Sequence, residues 1–267
     1  MIKIVKDLED VPDSLQFPDD EFFPDGIPKT SRTTHTRRLE IIDNSAYIDE
    51  TKYNNRYKKR DVKEALANIY ENKCAFCEQK VEQYHVEHYR PKKIYYWIAF
   101  SWDNLLLACS TCNQNKGVHF DILGDKVEYE NSEENIRNIN VSSAVYDSIE
   151  IPKMVNPEII DPKGLIDFEK NGRITSQDER FSYTIQTCKI DRKFLNDERR
   201  SLLDILERDI ESALIENNTI QEQTSEIGVI IKKFIRDAKD NSLQFLAFRD
   251  YAISNRWLNE IVKEKTG

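Results

Sequence analysis

The sequence contains no long apolar run. Nothing in its 267 residues approaches the roughly 20 consecutive apolar positions a bilayer-spanning helix needs. The opening Met1-Ile2-Lys3-Ile4-Val5-Lys6-Asp7 turns acidic before any signal-like stretch develops. A soluble, cytoplasmic protein without membrane association is therefore expected. An excess of basic charge is also missing: the net charge is -9. That argues against a protein that coats nucleic acid non-specifically, because phosphate binding is mostly neutralisation by Lys and Arg. Internal repeats and low-complexity tracts are absent too. From Asp178 onward the only glycine before the terminal residue is Gly228, and there is no proline.

What is present is enough to fold. Ile, Leu, Val and 27 aromatic residues are spread along a chain of which 33% is charged, so packing rather than disorder is expected. The charge is uneven. Residues 1–28 carry a net -6, residues 29–60 a net +5, and residues 74–120 are close to neutral. Any nucleic acid should therefore sit on the basic stretch and the near-neutral window after it; the alternative is a solvated basic surface.

Four regions are expected. Residues 1–56, with Pro12, Pro18, Pro24 and Pro28 and little periodicity, read as an extended N-terminal arm. Residues 57–125 form a core. In it, Val62, Ala65, Leu66 and Ile69 give a short helix leading to Cys74, short strands lie between Tyr84 and Trp102, and a helix starts near Cys109 to Cys112. Residues 126–177 connect, with turns at Asn156-Pro157 and Asp161-Pro162 and a hairpin tip at Asn171-Gly172. Residues 178–267 carry apolar stripes at helical spacing, such as Leu202, Leu203, Ile205, Leu206 and Ile210, and predict a bundle of three or four helices.

Four of the five cysteines form two pairs, Cys74-Ala75-Phe76-Cys77 and Cys109-Ser110-Thr111-Cys112, with 31 residues between them. Two such knuckles let four thiolates converge on one tetrahedral Zn²⁺. Four protein ligands leave no open position, so this zinc is expected to be structural and to clamp the ends of the intervening segment. Cys188 has no partner in the pattern and reads as a small buried apolar residue.

Inside the frame lies His85-Val86-Glu87-His88-Tyr89-Arg90-Pro91-Lys92, and after the second knuckle Asn113-Gln114-Asn115-Lys116. Zinc would bring these segments together and place a carboxylate, an imidazole, a carboxamide and several cations in one locality. Oxygen ligands from Glu87 and Asn113 suit a catalytic Mg²⁺ or Mn²⁺, and His88 can take a proton from an attacking water. His85 would share a strand face with Glu87, so a metal set of His85 and Glu87 is a second possibility. Arg90, Lys92, Lys93 and Lys116 could contact phosphates or be simply solvated. Trp97 and Trp102 read as core, and His119 has no evident role.

Here the sequence resembles the HNH, or ββα-metal, nucleases. Glu87-His88, then Trp102-Asp103-Asn104-Leu105, then Cys109-x-x-Cys112-Asn113-x-x-Lys116 are similar to the zinc-bearing branch of that superfamily. The resemblance implies an α+β fold, with a zinc-stapled ββα-metal core and a mainly α-helical C-terminal region. It implies catalytic roles for His88 as general base, Asn104 as the brace of the loop that aims it, and Asn113 as second metal ligand beside Glu87. The family's acid before the histidine is often Asp; Glu87 is one methylene longer. Lys73-Cys74-Ala75-Phe76-Cys77-Glu78, Tyr96-Trp97, Asn156-Pro157-Glu158, Phe168-x-x-x-Gly172 and Leu195-Asn196-x-x-x-Arg200 extend the likeness to the PtuB-type HNH nucleases of Septu anti-phage systems. It covers roughly residues 57–205, and it implies an ATPase partner subunit of the PtuA type and a nucleic acid substrate. The rival from another class is a non-catalytic zinc-ribbon-like module that binds nucleic acid or protein. A restriction-type nuclease acting alone is a third reading.

Overall fold

The computed structural model describes residues 1–16 and 33–267. Pro18, Pro24, Pro28 and the start of the basic stretch therefore lie outside the described residues. The remainder of the expected arm is not extended throughout. It contains helices α1 (Thr34–Asp43) and α2 (Thr51–Asn54) and buries Ile41, Ile42 and Tyr53. Helix α3 (Arg60–Ile69) turns Val62 and Leu66 inward, as its spacing predicts. It reverses at Glu71 and Asn72, both at positive φ, to deliver the chain to Cys74.

The centre is a ββα unit. Strand β1 (His85–His88) pairs antiparallel with β2 (Leu105–Ala108), Glu87 opposite Leu106 and His88 opposite Leu105. All four β2 residues are buried, which fits an apolar run covered on both faces. The strands are joined by two 3-10 turns, Tyr96–Ile98 and Trp102–Asn104, whose Trp97 and Trp102 fill the core as the sequence suggests, with Phe100 buried between the turns. Helix α4 (Ser110–Lys116) follows β2 at once.

The N-terminal segment is sewn into this unit. The Ile4 amide donates to the Pro157 carbonyl at 3.0 Å. Lys6, whose side chain is buried, donates to the carbonyls of Trp102 (2.7 Å) and Leu105 (2.6 Å) and to Glu158 (3.2 Å), with Trp102 beneath its ammonium. Below this seam Asp103 Oδ2 accepts from the Ser143 amide at 2.5 Å, while Oδ1 has no partner among the described residues. Burial pushes the Asp103 carboxyl from its ordinary 3.8 up to about 8, against the opposing pull of the Ser143 amide and Lys6. The folded chain thus binds this proton more tightly than the unfolded chain. The contribution to stability is present below the unfolded value and is lost as pH rises towards the folded one. Asp103→Asn removes that loss. In thermal unfolding, the variant's melting temperature relative to the parent is expected to climb between about pH 6 and about pH 8; parallel pH curves for the two proteins would contradict it.

The connecting region holds α5 (Glu133–Arg137), α6 (Ser143–Glu150) and the hairpin β3 (Asp167–Phe168) and β4 (Ile174–Thr175), which turns at Gly172 with φ +87°. The C-terminal region consists of α7 (Glu179–Thr187), α8 (Lys193–Glu216), α9 (Ile220–Asp237), α10 (Leu246–Ser254) and α11 (Trp257–Thr266). These are five helices where the stripes predict three or four. The α9 start carries a reciprocal Thr219–Glu222 capping box. No helix among the described residues is long and apolar enough to cross a membrane.

Candidate active site

The four paired cysteines meet as their spacing predicts. Their sulfurs all lie within 4.8 Å of one another, all four residues are buried, and none is in a disulfide. The first knuckle docks on β2 through the Ala75 amide, which donates to the Leu107 carbonyl at 2.8 Å. The second caps α4: Cys109 Sγ accepts from the Cys112 amide at 3.4 Å. A tetrahedron with metal–sulfur bonds near 2.3 Å separates its sulfurs by about 3.8 Å, and Cys77 Sγ to Cys109 Sγ is 3.9 Å. The donor set therefore fits a four-coordinate structural metal, with no position left for substrate.

Glu87 and His88 end β1, and both border one cleft. His88 is buried, edge-on to the Tyr57 ring at 4.5 Å between centroids. Its Nε2 lies 2.9 Å from the Ala99 carbonyl oxygen. A carbonyl can only accept, so Nε2 carries the proton and Nδ1 keeps the lone pair. Burial, reinforced by the Lys92 ammonium, pushes the imidazole down to about 3, which keeps it neutral at physiological pH. The loop around it is tied by Asn104. Its Oδ1 accepts from the Arg90 amide at 2.7 Å, and its Nδ2 donates to the carbonyls of Arg90 (3.1 Å) and Ile98 (3.2 Å). Asn104 thereby joins the strand end after His88 to the turn that presents the Ala99 carbonyl.

Glu87 is buried and held by Lys116, whose Nζ donates to Oε1 at 2.9 Å and to the His88 carbonyl at 2.7 Å. Burial raises the Glu87 carboxyl, and the Lys116 ammonium opposes the rise. Asn113 lies one turn before Lys116 on α4, and so on a neighbouring part of the same helix face. His85, Glu87, His88 and Asn113 line one cleft of about 420 Å³.

Of the cations the sequence suggests for phosphate contacts, Lys92 and Lys93 line this cleft. Lys92 donates to Asn54 Oδ1 (2.8 Å) and the Tyr57 hydroxyl (2.7 Å), and burial lowers its ammonium to about 8. Arg90 and Lys116 are drawn inward instead. Both are fully buried. Arg90 Nε donates to Glu150 (2.8 Å), Nη2 to Asp147 (2.6 Å) and Nη1 to the Ser143 carbonyl (3.1 Å), amid the rings of Tyr89, Tyr95, Phe120 and Tyr146. A direct phosphate contact by either side chain would leave a buried carboxylate unpaired, which is costly. Their visible work is to fix the loop and strand on either side of His88. Sequence reasoning overlooked Lys63 and Tyr57, both on the cleft wall. The available signal for Lys63 was its place on α3 next to the buried Val62, on the side that does not carry the apolar stripe.

Residues 74–119 match the HNH endonuclease family model. The matched segment runs from the first cysteine of the frame past Lys116 and contains His85, Glu87, His88, Asn104 and Asn113. Over 183 residues the chain is 29% identical to a Septu protein PtuB of Bacillus mycoides (strain KBAB4), covering 61% of this chain and 58% of that protein. Over 62 residues it is 39% identical to a Septu protein PtuB of Bacillus thuringiensis, covering 22% of this chain and 24% of that protein. The alignments thus span less than two thirds of either relative.

Proposed function

We propose that this chain is a PtuB-like, metal-dependent HNH endonuclease that hydrolyses phosphodiester bonds of nucleic acid, with one structural zinc at Cys74, Cys77, Cys109 and Cys112. The observation that carries the reading is the convergence of Glu87, His88 and Asn113 on one cleft beside the four-cysteine cluster. A non-catalytic zinc-ribbon-like module has no need for a neutral, tautomer-fixed imidazole on a cation-rimmed cleft.

Glu87 and Asn113 would hold a hard divalent cation, Mg²⁺ or Mn²⁺, which supplies charge neutralisation at the scissile phosphate. His88 Nδ1 takes the proton from water as it attacks phosphorus in line with the departing oxygen. The Ala99 carbonyl stabilises the imidazolium that forms, because Nε2–H points at it. Asn104 keeps strand end and turn in register during that transfer. Lys116 fixes Glu87 through Oε1 and restricts the carboxylate's orientation towards the cation. An ATPase partner of the PtuA type, a role in anti-phage defence and a cytoplasmic location complete the proposal. An acidic chain with net charge -9 that depends on a partner to engage its substrate is consistent with it.

The test incubates the purified chain, alone and with a candidate ATPase, with Mn²⁺ or Mg²⁺ and a panel of single- and double-stranded DNA and tRNA. Cleavage of at least one substrate that stops in EDTA is expected. Cleavage that persists in EDTA rules out the divalent-ion mechanism.

The rim of the cleft gives a separate prediction. Lys58 and Lys93 are exposed and Lys63 is partly so, and all three border the opening. Reversing the three to Glu is expected to weaken binding of duplex DNA or RNA and make the log K against log salt slope shallower by about 2 to 3, since each neutralised phosphate contributes about 0.9. Fluorescence anisotropy over a salt series with a cleavage-inactive background measures it; an unchanged slope places the nucleic acid elsewhere.

A further inference from the structure

The likeness in the Leu195-Asn196-x-x-x-Arg200 and Phe168-x-x-x-Gly172 segments has no part in the cleft chemistry. In the structure these segments build a loop that reaches the cysteine cluster from the C-terminal region. The junction between α7 and α8 turns through Lys189, at φ 52°. The Ile190 carbonyl accepts from Arg199 Nη2 (3.1 Å), and the Asp191 carbonyl from Asn196 Nδ2 (3.2 Å). From the β3–β4 hairpin, the Ile174 amide donates to Asp191 Oδ1 (3.1 Å), and the Gly172 carbonyl accepts from Arg199 Nη1 (3.0 Å). Gly172 lies so close to the Asn196 backbone that a Cβ there would fall 2.0 Å from the Asn196 carbonyl oxygen. A buried arginine, an asparagine and a glycine thus determine the course of a five-residue connection.

At its end stands Arg192. Its Nη1 lies 3.7 Å from Cys112 Sγ, and its Nη2 lies 3.8 Å from Cys109 Sγ and 4.0 Å from Cys77 Sγ. Nη1 also donates to the Lys189 carbonyl at 3.1 Å, which sets the plane of the guanidinium. Among the described residues Arg192 makes no ion pair with a carboxylate. Both ends of its fork are directed at sulfur. Four thiolates around one divalent ion leave the cluster with two surplus negative charges in a buried site, where an uncompensated charge is expensive.

We propose that Arg192 is the outer-sphere partner of the structural metal site: its guanidinium offsets thiolate charge and slows loss of the metal, and the α7–α8 junction exists to hold it there. The inference rests on the zinc reading above and assigns the C-terminal region a task inside the nuclease core. Outer-sphere partners of metal ligands typically change affinity by about 10- to 100-fold. Loss of the α7–α8 junction then loosens the metal without touching a ligand.

The test uses the full-length chain loaded with one equivalent of zinc. Release is followed by the absorbance of a pyridylazo-resorcinol dye, after an EDTA challenge and separately after hydrogen peroxide. R192M keeps the aliphatic length and removes the charge; it is expected to release zinc about 10-fold faster or more. R192K, which keeps a point charge without the fork, is expected to fall between R192M and the parent. If R192M does not fold, R192K alone decides, because a release rate equal to the parent's then overturns the proposal. Equal rates for R192M and a zinc-loaded parent likewise overturn the role of Arg192 and leave the zinc reading standing. A parent chain that takes up no stoichiometric zinc sinks the zinc reading, and this inference with it.

Discussion

His88→Ala is expected to lower nucleic acid cleavage by about 10²- to 10⁴-fold, the usual contribution of a positioned general base, with substrate binding little changed. The expectation follows from the ring's surroundings. Its Nε2–H is committed to the Ala99 carbonyl, so the basic lone pair is on Nδ1, and burial with Lys92 nearby keeps the ring neutral. A histidine retained only as a packing element would share the contact with Tyr57. Its loss would then appear in stability and not in turnover. Comparing single-turnover rates with melting temperatures separates the two. His88→Asn, which retains a polar group able to donate to the Ala99 carbonyl but lacks a titratable base, should be as inactive as His88→Ala and closer to the parent in stability. Full activity in either variant removes His88 from the mechanism.

The parts of this site legible in the sequence are those set by local spacing. Two knuckles of fixed geometry predict the sulfur cluster, and a period near 3.6 predicts α3. Asn171-Gly172 predicts the hairpin turn, where Gly172 adopts positive φ. Elements whose cause lies far along the chain were not legible. Helix α1 buries Thr34, His35 and Arg38 together with Ile41 and Ile42, so its inward face is partly polar and carries no clear apolar stripe. The breaks that raise the C-terminal helices to five fall at Lys189, Phe245 and Arg256, non-glycine residues at positive φ that no composition rule flags.

The charges mislead for a related reason. A cation beside a catalytic motif is read as solvent-facing until its partner is known, and the partners of Arg90 are 57 and 60 residues downstream at Asp147 and Glu150. Lys116 was visible only as part of a motif, although its ammonium bonds both Glu87 and the backbone of His88. Both cations therefore act on His88 through the backbone around it. Asn104 meets the same loop from the other side, so the strand end that carries His88 is held by three separate polar attachments rather than by strand pairing. A two-stranded sheet with four-residue strands could not hold it alone.

That weakness sets the size of the second large effect. The cysteine cluster joins the chain leaving α3 to the end of β2 and the start of α4, and these short elements have only modest pairing of their own. Cys112→Ser removes one of the four clustered thiols at a fully buried position. It is expected to abolish stoichiometric zinc, measured by elemental analysis of the purified chain. The associated loss is on the order of 4 kcal/mol, the range in which loss of a metal ligand is diagnostic. For a chain of this length that corresponds to a fall in melting temperature of roughly 10 °C. The larger figures known for isolated zinc peptides do not apply, because α3 and β2 are also buried against the rest of the core. Cys188→Ser is the matched control. Cys188 is equally buried but lies outside the cluster, so that variant should bear the cost of a buried hydroxyl, about 1–3 kcal/mol, while keeping its zinc. If Cys112→Ser binds zinc like the parent, Cys112 is not a ligand and its burial is packing. If only Cys112→Ser loses it, the clamp beneath the loop that holds His88 is the metal, and cleavage by that variant should fall along with its zinc content.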